Sequence, residues 1–254
     1  MLFDNLSRPV VFAHRGDRVH APENTLAAFE LALQSGADAI EFDTMLCADG
    51  VPVVIHDRRV DRTTDGTGMV KDLSLADLRR LDAGSWFGPT FKNERIPTLE
   101  EVLAAFGQAI ILNIELIDFQ ILNKPLPLRV AKLIQQYDLS QRVMISSFNP
   151  LALIRFHRLL PQVPIALNAF GGVRGKIARS KIIEWIGCAA LHPVLEDATP
   201  ALVNQMHRRG IRVHPHTVNH VEDMLHMVDL QVDGFFTDDP TLARRVLANL
   251  SANQ

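Results

Sequence analysis

Three short polar clusters, each closing an apolar run, carry the side chains best suited to chemistry: His14-Arg15-Gly16, Glu41-Phe42-Asp43 and His56-Asp57. Val10 to Ala13 runs into His14, Ala37 to Ile40 into Glu41, and Val51 to Ile55 into His56. In α/β proteins the ends of strands are where side chains converge on a ligand, so segments distant in sequence can share one site. Pooled, the clusters offer two imidazoles, carboxylates and a guanidinium. Such a set can hold a divalent cation, bind an anion and move protons.

Glu41 and Asp43 stand two apart on one strand, so their side chains leave the same face. Two uncompensated carboxylates there are costly, and a hard divalent cation relieves repulsion and desolvation together. Glu115, closing the run from Ile110 to Leu116, is a natural third ligand. The plainer reading makes these acids exposed loop residues or partners of Arg15. His14 and His56 flank the acidic pair, and one can act as base and the other as acid because histidine titrates near neutral pH. Either one alone would more often be a structural hydrogen-bonder or a surface residue. Arg15 is the anion clamp, since its planar fork matches phosphate oxygens; its alternative role is an ion pair to Glu41 or Glu115.

The elements that must position these residues alternate with regularity. Leu26, Phe29, Ala32 and Leu33 recur at helical spacing until Gly36, and the next strand meets a turn at Ala48-Asp49-Gly50. Val51 to Ile55 follows at once, too soon for a parallel crossover, so the pair reads as an antiparallel hairpin that folds His56 back toward Asp43. Asp57 to Pro97 is irregular, apart from a short helix at Ser74 with Asp77 in a capping box, and reads as a lid or substrate wall. From Thr98, whose Thr-Leu-Glu-Glu opens a helix, strand and helix alternate. Further helices are expected near 128–137, 150–160 and 176–186, after Pro200, after Asn219 and after Pro240. Setting aside the hairpin return, strands end near His14, Asp43, Glu115, Ser147, Asn168, His192, His214 and Thr237. This pattern predicts a closed (β/α)8 TIM barrel.

The chain of 254 residues is 47% hydrophobic and has no obvious linker, which suits one domain spanning 1–254 with an inserted cap at about 57–97. A net charge of −3 gives no reason to expect nucleic acid or an anionic membrane as partner. Cys47 and Cys188 cannot build a disulfide framework, which fits a reducing compartment. No signal-peptide pattern and no membrane-spanning apolar run is apparent, so the expectation is a soluble cytoplasmic protein.

The motifs together resemble the glycerophosphodiester phosphodiesterase family. The matching segments begin with His14-Arg15-Gly16, Pro22-Glu23-Asn24-Thr25 and Gly36 to Asp43, and continue through Asp49-Gly50, His56-Asp57 and Asn113-Ile114-Glu115. Ser147-Phe148, Thr217-Val218-Asn219 and Gly234 to Pro240 complete them along essentially the whole chain. The resemblance implies a TIM barrel that hydrolyses glycerophosphodiesters to glycerol 3-phosphate and an alcohol. It implies Glu41, Asp43 and Glu115 as ligands of Mg²⁺ or Ca²⁺, His14 and His56 as the acid/base pair, Arg15 as phosphate ligand, and 57–97 as a cap. Two positions depart from the family pattern. Ile117 stands where a phosphate-binding lysine is common, with Lys124 a nearby substitute, and His216 replaces a common tryptophan and is expected to contact phosphate or headgroup. These departures leave open a lysophospholipase D-type activity, with Trp86, Phe87 and Phe91 as an apolar patch at the mouth or, more plainly, as cap core. They also leave open a weakly active phosphodiester-binding protein.

Overall fold

The computed structural model describes residues 2–117, 125–172, 175 and 180–252. Nine strands form one sheet: β1 Val10–His14, β2 Ala39–Leu46, β3 Pro52–Val54, β4 Ile111–Leu116, β5 Val143–Ser147, β6 Ile165–Ala169, β7 Ala190–Pro193, β8 Arg212–Val213 and β9 Gly234–Thr237. Eight of them run parallel in the order β8-β7-β6-β5-β4-β2-β1-β9, with β3 hanging off β2. The two ends of that order are tied by single bonds, from Asp233 N to Val213 O at 3.1 Å and from Phe236 N to Pro215 O at 2.9 Å. The architecture is the expected (β/α)8 barrel.

The strands are buried on both faces and read as apolar runs, as a parallel sheet covered by helices requires. The outer layer packs Phe29, Phe42, Leu103, Phe156 and Met224 between strands and helices, while Val10, Phe12, Ala39, Met144 and Phe236 fill the barrel floor against Phe3. Helix starts follow their local chemistry. Thr25 caps Leu26–Gln34, Thr98 makes the expected capping box with Glu101, and Ser74 makes the weaker one with Asp77. One expected start differs: the helix Val221–Asp229 has His220 at its N-cap position and no side-chain cap, while Asn219 gives its amide to Asp238. Of the helix expected over 176–186, residues 182–186 are helical, and 176–179 lie outside the described residues.

The hairpin is antiparallel, with Thr44 opposite Val54, and Ile55 N bonds Asp43 O at 3.1 Å, so His56 is delivered beside the acidic strand end. Residues 57–97 fold over it around Met45, Val53, Ile55, Val60, Val70, Leu78 and Ile96. Trp86, Phe87 and Phe91 are not in that core. They form an edge-to-face series with centroids 5.7 and 5.5 Å apart, and Trp86 is exposed. Among the described residues no helix is long and apolar enough to cross a membrane.

Candidate active site

Parallel register brings the predicted acids together before any long-range packing is considered. His14 pairs with Glu41 across β1 and β2, and Asp43 pairs with Glu115 across β2 and β4. Glu41, Asp43 and Glu115 each offer an oxygen within 4.8 Å of the others. With His14, Arg15, His56 and His216 they line a cavity of about 190 Å³ at the carboxyl end of the barrel.

The turn after β1 is built for close approach. Arg15 adopts φ +60° and Gly16 φ +84°, and a Cβ at Gly16 would lie 2.7 Å from the backbone of Ala28. Only glycine fits there, and the tight turn points Arg15 N at Glu41 Oε2, 3.1 Å away. Arg15 Nη1 bonds Glu23 Oε1 at 2.9 Å, and its Nε lies 3.2 Å from Asp43 Oδ2 as an ion pair without hydrogen-bond alignment. Burial works against the Arg15 charge, but Asp43, Glu23 and Glu41 outweigh it and raise its pKa. Asn24 Nδ2 donates to Asp43 Oδ2 at 2.9 Å.

Each proposed acid/base imidazole has its own carboxylate. His14 Nδ1 lies 2.6 Å from Asp238 Oδ1, and His56 Nδ1 lies 2.6 Å from Asp57 Oδ1. A carboxylate at Nδ1 fixes the proton there and leaves Nε2 as the nitrogen with a lone pair. Burial lowers the His14 pKa, with the Asp238 hydrogen bond opposing it. Asp238 is held by Asn219 Nδ2 at 2.9 Å. Asp57 is bridged by Arg62 to Glu23, and the Arg62 hydrogen bonds hold the Asp57 carboxyl down at about 2. Burial pushes His216 down to about 4, with the charge of His14 adding to it, so this side chain is a neutral hydrogen-bonding group.

The donor set suits a hard divalent cation. All three ligand candidates are oxygen donors. Burial, reinforced by Asp43 and by Glu115, raises Glu41 well above the usual carboxylate range, and burial with Asp43 does the same to Glu115. Both acids need a positive partner to stay ionised. Asn113, opposite Glu41 in the register and lining the same cavity, also leaves a buried Oδ1 without a donor among the described residues.

The two departures behave differently. His216 lines the cavity, whereas Ile117 packs against the apolar cluster of the cap and donates its N–H to Thr44 O at 3.0 Å. Lys124 lies outside the described residues. Reasoning from residue types passed over Asp238, Arg62 and Arg18, whose guanidinium pairs with Glu23 Oε2 at 3.0 Å, and treated Asn168 and His192 only as strand ends. The position of those two at the carboxyl ends of β6 and β7 was the available signal.

A family model described as the glycerophosphoryl diester phosphodiesterase family matches residues 14–242. The chain is 41% identical over 234 residues to a glycerophosphodiester phosphodiesterase of Caldanaerobacter subterraneus subsp. tengcongensis, covering 92% of this chain and 95% of that one. It is 36% identical to a glycerophosphodiester phosphodiesterase of Bacillus altitudinis, covering 93% and 97%. Among solved structures it resembles an Oleispira antarctica phosphodiesterase in complex with the product sn-glycerol-3-phosphate, at TM-score 0.87 and 33% identity, covering 94% of this chain and 97% of that one.

Proposed function

Since the chain belongs to the glycerophosphoryl diester phosphodiesterase family, enzymes that hydrolyse glycerophosphodiesters, we propose that His14 and His56 are its proton-transfer pair, Arg15 its phosphate clamp, and Glu41, Asp43 and Glu115 its cation ligands. The observation that carries this reading is the pair of imidazoles, each tied at Nδ1 to its own carboxylate, on one cavity with three clustered carboxylates.

A divalent cation, Mg²⁺ or Ca²⁺, bound there would neutralise phosphate oxygens and the charge that builds on them in the transition state. The chain's own residues do the rest. Arg15, fixed by Glu23, offers its guanidinium to the phosphate. One histidine Nε2 removes the proton from the attacking hydroxyl, either the substrate's own neighbouring hydroxyl or a water. As the P–O bond to the headgroup breaks, the other histidine delivers a proton to the departing alkoxide, so that alcohol and glycerol 3-phosphate are the final products. If the neighbouring hydroxyl attacks first, water then opens the cyclic ester and the two histidines exchange roles, which restores both protonation states. His216 offers the headgroup a neutral hydrogen-bonding face, and residues 57–97 act as a cap that shapes the mouth of the single domain.

The test is ³¹P NMR of products from glycerophosphocholine and, separately, from lysophosphatidylcholine. Glycerol 3-phosphate from the first substrate supports the reading. Turnover of the lysophospholipid alone would replace it with a lysophospholipase D-type reaction.

A further inference from the structure

A chain of hydrogen bonds leaves Glu115 and descends through the barrel interior. Asn168 Nδ2 donates to Glu115 Oε2 over 2.8 Å. Asn168 Oδ1 lies 2.9 Å from His192 Nδ1, and His192 Nε2 lies 3.2 Å from His214 Nδ1. Asn168 and His192 are register partners on β6 and β7, and His214 directly follows β8. All three side chains are buried.

The direction of every bond follows from one end. With a cation on the site Glu115 is ionised and only accepts, so Asn168 must turn its NH₂ to Glu115. Its Oδ1 can then only accept, which places the His192 proton on Nδ1. Burial keeps His192 neutral, so its Nε2 is a lone pair and His214 must supply Nδ1–H. The far end, His214 Nε2, has no partner among the described residues and is left as a bare acceptor. The reverse assignment fails at the first link, where two acceptors would face each other. Burial is what keeps both imidazoles neutral: it pushes His192 well below the usual histidine range, with His214 next among the causes, and takes His214 down to about 3.

The rings are also held mechanically. Phe236 packs on His192 at 4.8 Å between centroids, and Phe12 and Phe3 pack on His214 at 4.9 and 5.8 Å. TIM-barrel interiors are ordinarily filled by branched aliphatic side chains. Two imidazoles there cost desolvation that aliphatic residues avoid, and a fully directed network compensates by fixing one geometry.

We infer that Asn168, His192 and His214 are positioning residues that hold Glu115 in place for a divalent cation and so set the affinity of that site. The inference rests on the proposed cation site at Glu41, Asp43 and Glu115. Partners behind a ligand of this kind typically change metal affinity by about 10–100-fold when removed.

The experiment has two parts. Titration calorimetry of Mg²⁺ and of Ca²⁺ compares the unmodified protein with His192→Phe and His192→Asn. His192→Phe keeps a ring but no donor, and is expected to weaken binding at least about tenfold. His192→Asn places an amide nitrogen where Nδ1 was and is expected to recover most of the affinity. Equal affinity in the unmodified protein and His192→Phe overturns the inference alone, while no binding by the unmodified protein overturns the cation site and the inference with it. The second part needs no substitution: long-range ¹H–¹⁵N spectra of the labelled protein should show both buried imidazoles neutral with the proton on Nδ1. A proton on Nε2 of His192 overturns the inference even if His192→Phe does not fold.

Discussion

His14 Nδ1 and Asp238 Oδ1 lie 2.6 Å apart although 224 positions separate them in the chain. Barrel closure makes the contact: β1 pairs with β9 from Val10 opposite Gly234 to Ala13 opposite Thr237, and Asp238 is the next residue. The carboxylate keeps the His14 proton on Nδ1. Asp238→Ala should lower kcat by about 10²-fold with KM little changed, the scale of a lost acid/base function. Steady-state rates on glycerophosphocholine measure this, and a kcat within twofold of the unmodified enzyme would remove Asp238 from the account.

Glu23 gathers Arg15, Arg18 and Arg62 on one buried carboxylate. Burial raises its pKa, but hydrogen bonding from Arg62 and the charges of Arg15 and Arg18 outweigh it and bring the carboxyl from 4.5 to about 2. A folded-state pKa below the unfolded one stabilises fully above the unfolded value and is lost as pH falls. Here the window runs from about 4.5 down to about 2, with a contribution on the order of 3 kcal/mol. Glu23→Gln should therefore melt well below the unmodified protein at pH 7, with the gap narrowing as the melts are repeated down that window. A gap that does not depend on pH would contradict this.

The barrel and the three carboxylates were legible because both follow from local pattern. Strand ends announce themselves as apolar runs, and spacing by two puts Glu41 and Asp43 on one face. Asp57 is the sequence neighbour of His56, but the carboxylate behind His14 was harder to read, because Asp238 becomes its partner only when the last strand pairs with the first. Asn219 read as a helix start, but the N-cap position falls one residue later at His220, and the Asn219 amide bonds Asp238. Ile117 looked like a gap in the phosphate site, yet side-chain packing places it against the cap cluster. Neither Trp86, Phe87 nor Phe91 is buried, because the hairpin residues Met45, Val53 and Ile55 already fill the inside of the cap.

His216 carries no charge near neutrality, since burial, aided by His14, pushes it to about 4. A lowered histidine pKa means that its charged form is populated only below that value. His216→Phe should therefore keep the shape of the pH–rate profile from about pH 5 to 8 and act through KM, by an amount that differs between choline and ethanolamine headgroups. A displaced acidic limb in the variant would show that His216 titrates during turnover.

The most direct test of the central claim is glycerol 3-phosphate release from glycerophosphocholine before EDTA, after it, and after Mg²⁺ or Ca²⁺ is restored. The account predicts that release stops with EDTA and returns with one of the cations. Release that ignores EDTA, or that no cation supports in folded protein, would contradict the assignment of Glu41, Asp43 and Glu115.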